Sequence, residues 1–539
     1  MNFKREKEKL YSRNFTKWGF DMNVFVSAVT ALLVLAFSLF TILKPNLSAE
    51  FFGNANTAIN ANFNWLYIFT VNASLAFLLF IGFSKFGNIR LGGYTAKPEF
   101  SDIAWFAMMF SAGIGIGIFF YGVAEPIMHL NIPEAHQSGS QFDNFKVMYL
   151  HYGVHAWAIY MIFAIGLGYF SYNKGLPFAV RSLFYPLLKE RIYGIWGHVI
   201  DTIATLAVLF GLATSLGLGA RQINAGLNYV FNIPNTPNVQ VILIIFITLI
   251  ATVSVVSGVS KGIKWLSEAN LVITSILLIG ITLIGPTVYI FSSYFSSMGV
   301  YFRDIISSGL FVAIEPNDVV WQGAWTIFYL AWWIAWAPFV GTFIARISKG
   351  RTIRQLALGG LTLPTIVITL SMTILGASGV KLNELNNGAI AKAIDSDIAI
   401  SLFEMFRYLT ESNILQMALS IVAVIAVMIF FVTSSDSGSL VVCSLTSSGK
   451  STVPKIQRIF WAFLEGTIAI SILLIGGEAA LTTLQSAVII LGLPFSIILL
   501  IIIFSLAKEL QHSYKKYSHN QNIKLKRRLD KINKDSKFE

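Results

Sequence analysis

Charge is scarce in this 539-residue chain: only 12% of its residues are Asp, Glu, Lys or Arg, while 55% are apolar. Soluble domains carry about a quarter charged residues, so the deficit excludes a soluble enzyme, and the apolar excess excludes a disordered chain. Cysteine is nearly absent. Cys443 alone cannot form an intrachain disulfide, which rules out a secreted disulfide scaffold and a cysteine-built metal centre. Seven histidines without an HExxH-type spacing leave metal chemistry little to work with. What the chain does have is apolar runs of roughly 20 residues, each long enough to cross ~30 Å of hydrocarbon. With a mean hydropathy of +0.67, it reads as an all-α polytopic membrane protein.

Twelve transmembrane helices are expected: 24–43, 65–83, 103–122, 149–170, 196–220, 239–257, 268–292, 321–345, 356–376, 415–434, 459–476 and 483–506. The first follows a basic N-terminus, as a secretory signal would. Its apolar run is longer than a signal core and no small-residue cleavage site follows, so it reads as a retained helix. Lys and Arg accumulate on the cytoplasmic side of membranes. With the N-terminus inside, 32 of the 39 basic residues fall on cytoplasmic segments, so a multi-pass plasma-membrane protein with both termini cytoplasmic is expected. The net charge of +12 then follows from topology and not from nucleic acid.

The expected organisation is a cytoplasmic segment 1–23, a twelve-helix transporter domain 24–506 and a basic cytoplasmic tail 507–539. The tail carries ten basic and four acidic residues, the composition of a solvated extension or of a basic helix lying on anionic lipid. Residues 293–320 are too polar to cross and read as an interfacial helix outside.

Two spans break the rules for an ordinary membrane helix. The third carries Gly113, Gly115 and Gly117 at alternate positions, each weakening a helix by about 1 kcal/mol relative to Ala. Backbone groups freed there cannot be satisfied by lipid, so the stretch must line a cavity or pack within protein. The eighth carries Pro338 and Gly341. Breaks at matching places in two five-helix halves, about 103–292 and 321–506, are what an inverted-repeat transporter looks like, with substrate at the break. Thr433 and Ser434 close an apolar run with hydroxyl oxygens suited to Na⁺. With carbonyls around Ala112, Ile114 and Gly115 they would form one ion site.

The fourth span places Tyr152, Trp157 and Tyr160 on one side of a helix, and the eighth carries Trp325, Phe328, Tyr329, Trp332, Trp333, Trp336 and Phe339. No carboxylate occurs in either aromatic stretch. Uncharged π faces suit a cation whose charge is buried under methyl groups, a quaternary ammonium.

The run from Trp325 through Trp332-Trp333-Ile334-Ala335-Trp336-Ala337-Pro338 to Arg351-Thr352 closely resembles the signature of the betaine/carnitine/choline transporter family. So do Gly113-Ile114-Gly115-Ile116-Gly117 with Gly122-Val123-Ala124-Glu125-Pro126, and Phe431-Val432-Thr433-Ser434. The resemblance implies a LeuT-like 5+5 inverted repeat preceded by two extra helices, a homotrimer and alternating access. It also implies a trimethylammonium substrate in a box of Tyr152, Trp157, Tyr160 and Trp333, with Phe328, Trp332 and Trp336 along the pathway. Two departures stand out. Tyr152 occupies a place where many members have Trp, and Val208 and Leu212 align where sodium-coupled betaine carriers have two Thr.

Other motifs carry less. Gly449-Lys450-Ser451-Thr452 imitates a phosphate-binding loop, but Ser444 stands where its first glycine is required. Glu125, Asp436 and Glu268 read as interhelical bonding or capping groups. No activated nucleophile accompanies Tyr152, His151 and His155, so an enzyme is not expected, nor is a resident cofactor. The expected function is uptake of a quaternary ammonium osmoprotectant, most of all glycine betaine, coupled to Na⁺. A choline or carnitine carrier, proton-coupled or an ion-independent exchanger, is the alternative.

Overall fold

The protein, seen in a computed structural model, is described over residues 3–113, 115–257 and 260–535. Among the described residues all regular structure is helical, with two isolated bridges, Phe15 to Met22 and Arg90 to Thr352. The short helix α1 (Phe3–Tyr11) precedes α2 (Val24–Leu43) and α3 (Pro45–Phe83). Then come α4 (Asp102–Gly113), α5 (Gly117–Tyr121), α6 (Ala124–Met128), α7 (Asp143–Tyr152) and α8 (Val154–Gly168). The chain continues through α9 (Ile195–Phe231), α10 (Pro237–Ser257), α11 (Ser260–Ile284) and α12 (Thr287–Arg303). It ends with α13 (Phe328–Ile347), α14 (Gly360–Leu385), α15 (Asn413–Thr446), α16 (Lys455–Leu473) and α17 (Gly477–Asp535).

Ten helices among the described residues are long and apolar enough to cross a membrane. Burial divides them into a centre and a rim. The spans containing α7–α8, α9 and α13 are each 94% buried in their most apolar window, whereas α2 is 33% and the Leu266–Ile284 part of α11 is 22% buried. The rim helices expose Leu32, Leu39, Val272 and Leu283, an apolar surface that water would not tolerate and lipid covers. This is a polytopic membrane protein.

Contacts sort the connecting segments into two ends of the bundle. At one end Leu91 N–H donates to Arg351 O, Asn173 donates to Arg90 O, and Lys450 pairs with Asp21 at 2.6 Å. At the other, Lys146 pairs with Asp304, Arg221 with Asp397, and Asn64 donates to Ala313 O. Hydrogen bonds from Arg303, then from Lys146, hold the Asp304 carboxyl down near about 2, so this clasp stays charged across physiological pH. Lys450 of the loop that imitates a phosphate site is occupied by Asp21 at the first end.

Several elements differ from the sequence expectation. Helix α3 starts 20 residues before the expected second span, at Pro45; its Asn-rich half escapes hydropathy because it stands beyond the apolar layer and bonds to protein. At 39 residues and ~1.5 Å per residue it far exceeds ~30 Å of hydrocarbon. The expected seventh span, 268–292, divides at Gly285-Pro286, because a proline disfavours helix in the residue before it. Helix α12 then lies against α7 and α14, with Tyr294 and Tyr301 buried and Phe295 and Phe302 exposed.

The eighth span is not broken at Pro338: α13 runs through it from Phe328 to Ile347. The nearby Gly341 serves packing, since a Cβ there would meet the Phe163 ring at 2.6 Å. The matching second break expected from Pro338 is therefore absent from α13.

Helix α17 packs well past residue 506. Leu510 is buried, Glu509 pairs with Lys174, Tyr169 donates to Ser513 at 2.5 Å, and Tyr514 meets Phe86 edge-on. Truncation after Tyr514 is expected to leave the thermal unfolding of the purified protein unchanged. Truncation after Leu506 should lower the unfolding temperature, because burying a Leu side chain alone is worth about 1.5–3 kcal/mol. Equal unfolding temperatures for the two would contradict the packing.

Candidate functional site: an aromatic cavity at a helix break

Helix α4 stops at Gly113 and α5 restarts at Gly117. Ile114, and the side-chain positions of Ala112 and Gly113, lie outside the described residues. Beyond the interruption, Gly115 and Gly117 face a small cavity whose other walls include Tyr152, Trp157, Tyr160 and Trp333. Both glycines let an aromatic residue approach the backbone closely. A Cβ on Gly117 would lie 3.0 Å from the Tyr152 hydroxyl, and one on Gly115 would lie 3.1 Å from the Trp336 ring.

The four aromatic residues come from three helices. Helix α7 ends at Tyr152, and Gly153, with φ −83° and ψ −143°, separates it from α8, which carries Trp157 and Tyr160. The single uninterrupted helix on which the sequence placed these three residues is thus two. At the junction the His151 carbonyl accepts the Trp333 indole N–H at 2.8 Å. Trp333 faces Tyr152 at 5.6 Å and Tyr160 at 6.4 Å between ring centres, and Trp157 meets Tyr160 at 5.8 Å. Among the described residues, the buried Tyr160 hydroxyl has no hydrogen-bond partner. No charged side chain lines the described wall. The geometry offers π faces to a compact cation and one free hydroxyl to an oxygen.

The residues expected along a pathway sit behind this wall. Trp332 stacks on Trp333 with ring centres 5.0 Å apart and planes 9° apart, and Phe328 stacks on Trp332. Trp336 is wedged between Gly115 and Gly211. The expected ion ligands that are described take different places. Gly115 lines the aromatic cavity, Ser434 lines a second cavity, and the Thr433 hydroxyl turns back to the Ile429 and Phe430 carbonyls. Val208 and Leu212 are buried, and Leu212 packs on Gly438.

A polar hub behind the aromatic wall went unread in the sequence. His151 Nδ1 donates to Glu125 Oε1 at 2.6 Å, His129 reaches the same oxygen at 3.3 Å, and Tyr329 donates to Glu125 Oε2 at 2.7 Å. Thr326 stands 3.0 Å from His151 Nε2. Tyr152 completes the chain with a single proton shared between the Tyr329 hydroxyl at 3.1 Å and the Gly117 carbonyl at 3.2 Å. Glu125, His129 and His151 are close enough to resemble a metal-ligand set, but their facing atoms already bond one another or neighbouring hydroxyls. Glu125 acts as interhelical glue, as does Asp436, which accepts from Arg458 at 2.6 Å. The signal available was Glu125 just past the glycine run, with His151 beside Tyr152.

Comparison of the sequence with known protein families gives a match over nearly the whole chain. The description "BCCT, betaine/carnitine/choline family transporter" matches residues 25–515. The chain belongs to this family. It is 41% identical to glycine betaine transporter 1 of Vibrio parahaemolyticus, over 92% of this chain and 94% of that protein. It is 40% identical to a glycine betaine/proline/choline/ectoine transporter of the same bacterium, over 94% and 90% of the two chains. With the glycine betaine transporter OpuD of Bacillus subtilis it shares 39% identity, over 94% and 96%. The protein is a membrane transporter and not an enzyme.

In this transporter, Tyr329→Phe is expected to remove the hydroxyl that donates to Glu125 Oε2 and leave that buried carboxylate oxygen unmatched, at about 1–3 kcal/mol. Thermal unfolding of the purified protein should move down accordingly. An unchanged transition would mean that the hub contributes nothing to stability.

Proposed function

We propose that this protein takes up a small trimethylammonium osmoprotectant, glycine betaine before choline or carnitine, and that Na⁺ moves with it. The observation that carries the reading is the cavity itself: four aromatic faces, no charge on its wall, and the unpartnered Tyr160 hydroxyl. Each π face is worth about 0.5–2 kcal/mol to a quaternary ammonium. The free hydroxyl and the backbone exposed at Gly115 and Gly117 suit the carboxylate of a zwitterion. Relatives whose names specify glycine betaine transport, at about 40% identity over nearly the full chain, support the same substrate class.

The architecture proposed with this function is twelve spans with two initial helices and two five-helix repeats, assembled as a homotrimer in the plasma membrane with both termini cytoplasmic. The ten long helices, the shorter apolar helices Gly117–Met128 and Pro237–Val253, and the sorting of loops into two ends support the count. The basic loops gathered at one end support its being cytoplasmic. The tail beyond Tyr514 is proposed to lie on anionic lipid.

Uptake of labelled glycine betaine, choline and carnitine into proteoliposomes tests the reading. An inward Na⁺ gradient should drive betaine accumulation with a Hill coefficient near one, because Val208 and Leu212 offer no side-chain oxygen for a second ion. Accumulation insensitive to Na⁺ and abolished by a protonophore would reject sodium coupling, and transport of none of the three would reject the substrate class. Trp333→Leu should lower betaine affinity at least about tenfold, whereas Trp333→Phe, which keeps a π face, should lose less. Equal affinities for both variants and the native protein, read by isotope binding, would remove Trp333 from the site.

A further inference from the structure

A second, small cavity lies between α9, α15 and α16, beside Ile116 at the helix break. Much of its wall is apolar, including Leu212, Val427 and Phe431, yet it also holds Ser215, Ser434, Ser435 and Glu465. Glu465 sits in the middle of α16 and is fully buried, and among the described residues neither carboxylate oxygen has a close, well-aligned hydrogen bond, the Ser435 hydroxyl being the polar group that interacts with it. The nearest cation on its own helix, Arg458, is two turns away and already pairs with Asp436. Arg221, further along α9, pairs with Asp397.

A carboxylate isolated from water in a low-dielectric interior costs several kcal/mol unless something compensates it. The surrounding groups show what would do so. The hydroxyls are hard oxygen donors, and Ser215, which donates to the Gly211 carbonyl, keeps its oxygen lone pairs free. One carboxylate with neutral oxygens matches a monovalent ion; Ca²⁺ sites draw on several carboxylates and Mg²⁺ keeps several waters. We infer that this cavity binds Na⁺, with Glu465 supplying the negative charge and Ser215, Ser434 and Ser435 supplying neutral oxygens. The inference rests on the ion-coupled reading above and gives it a charged ligand that the sequence-level site of Thr433, Ser434 and break carbonyls lacked.

The position explains how ion and substrate communicate. Ile116 lines this cavity, while its chain neighbours Gly115 and Gly117 line the aromatic one. Holding one side of residues 115–117 therefore constrains the other. With Na⁺ bound, the ion and Glu465 form a neutral pair that α9, α15 and α16 can enclose. Without it, the buried carboxyl must take up a proton or be rehydrated.

The test is equilibrium binding of ²²Na⁺ to the purified full-length protein in potassium buffer without organic substrate. The native protein should bind Na⁺ saturably, and Glu465→Gln should raise the half-saturating concentration by about tenfold or more, since ligand charge count tunes cation affinity. A single symmetric elution peak and a cooperative thermal unfolding transition certify the fold of the variant. Ser435→Ala, which removes one neutral oxygen and no charge, should give a smaller rise and serves should Glu465→Gln fail to fold. Unaltered Na⁺ affinity in a folded Glu465→Gln variant overturns the inference, as does unaltered affinity in Ser435→Ala where that variant alone folds. Absence of Na⁺ binding by the native protein overturns it too. Glu465-dependent Na⁺ binding by a protein that fails to accumulate betaine would leave this site standing and reject the proposed substrate instead.

Discussion

One hydrogen bond, from the Trp333 indole to the His151 carbonyl at 2.8 Å, fixes the geometry on which the aromatic cavity depends. The carbonyls at a helix end lack intrahelical partners, and an unmatched carbonyl in a membrane interior is costly. Gly153 ends α7 and thereby leaves the His151 carbonyl at such an end. Trp333 satisfies it and is held with its ring across the cavity from Tyr152 and Tyr160. Trp332 stacks behind that ring, so the wall is two aromatic layers thick and resists rotation of the inner one. Behind Tyr152, the Tyr329–Glu125–His151 bonds tie the same junction to α6 and α13.

The glycine interruption does comparable work for the opposite wall. Where α4 gives way to α5, backbone groups leave the helical pattern, and lipid cannot satisfy them. They are tolerated because α8, α9, α13 and α15 surround the break, and glycine lets Trp336 and Tyr152 approach it closely. A cavity opens on each side of residues 115–117, one aromatic and uncharged, the other holding a buried acid. Structural continuity through three residues is the shortest route by which an ion on one side and a substrate on the other could sense each other.

Much of this was legible in the sequence, for reasons tied to particular residues. Scarce charge and recurring apolar runs reveal a membrane bundle because lipid imposes them on every helix. Tyr152, Trp157, Tyr160 and Trp333 were conspicuous because aromatic residues clustered in mid-span differ from an ordinary interfacial belt. Pro338 misled because a proline removes one hydrogen bond, and a helix as enclosed as α13 absorbs that loss. Gly153 was missed because one glycine in an apolar run gives no sign of whether the helix continues. Glu125 was read as an interhelical bonding or capping acid, and it does bond across helices; which partners it takes was hidden because they come from segments far apart in the chain. Glu465 was visible as the acid within 459–476, but its lack of partners is a property of three packed helices.

The account's central claim is that the cavity recognises positive charge through π faces and not merely the shape of a methyl cluster. Glycine betaine and its carbon isostere, 3,3-dimethylbutanoate, separate the two, because they share shape and carboxylate and differ in the quaternary nitrogen. Tryptophan-fluorescence titration of the purified protein with each ligand in saturating Na⁺ measures the difference directly. Several π faces at about 0.5–2 kcal/mol apiece predict that betaine binds at least about tenfold more tightly. Equal affinity for the two ligands would contradict the account, making the box a shape-selective pocket in which the cation has no part.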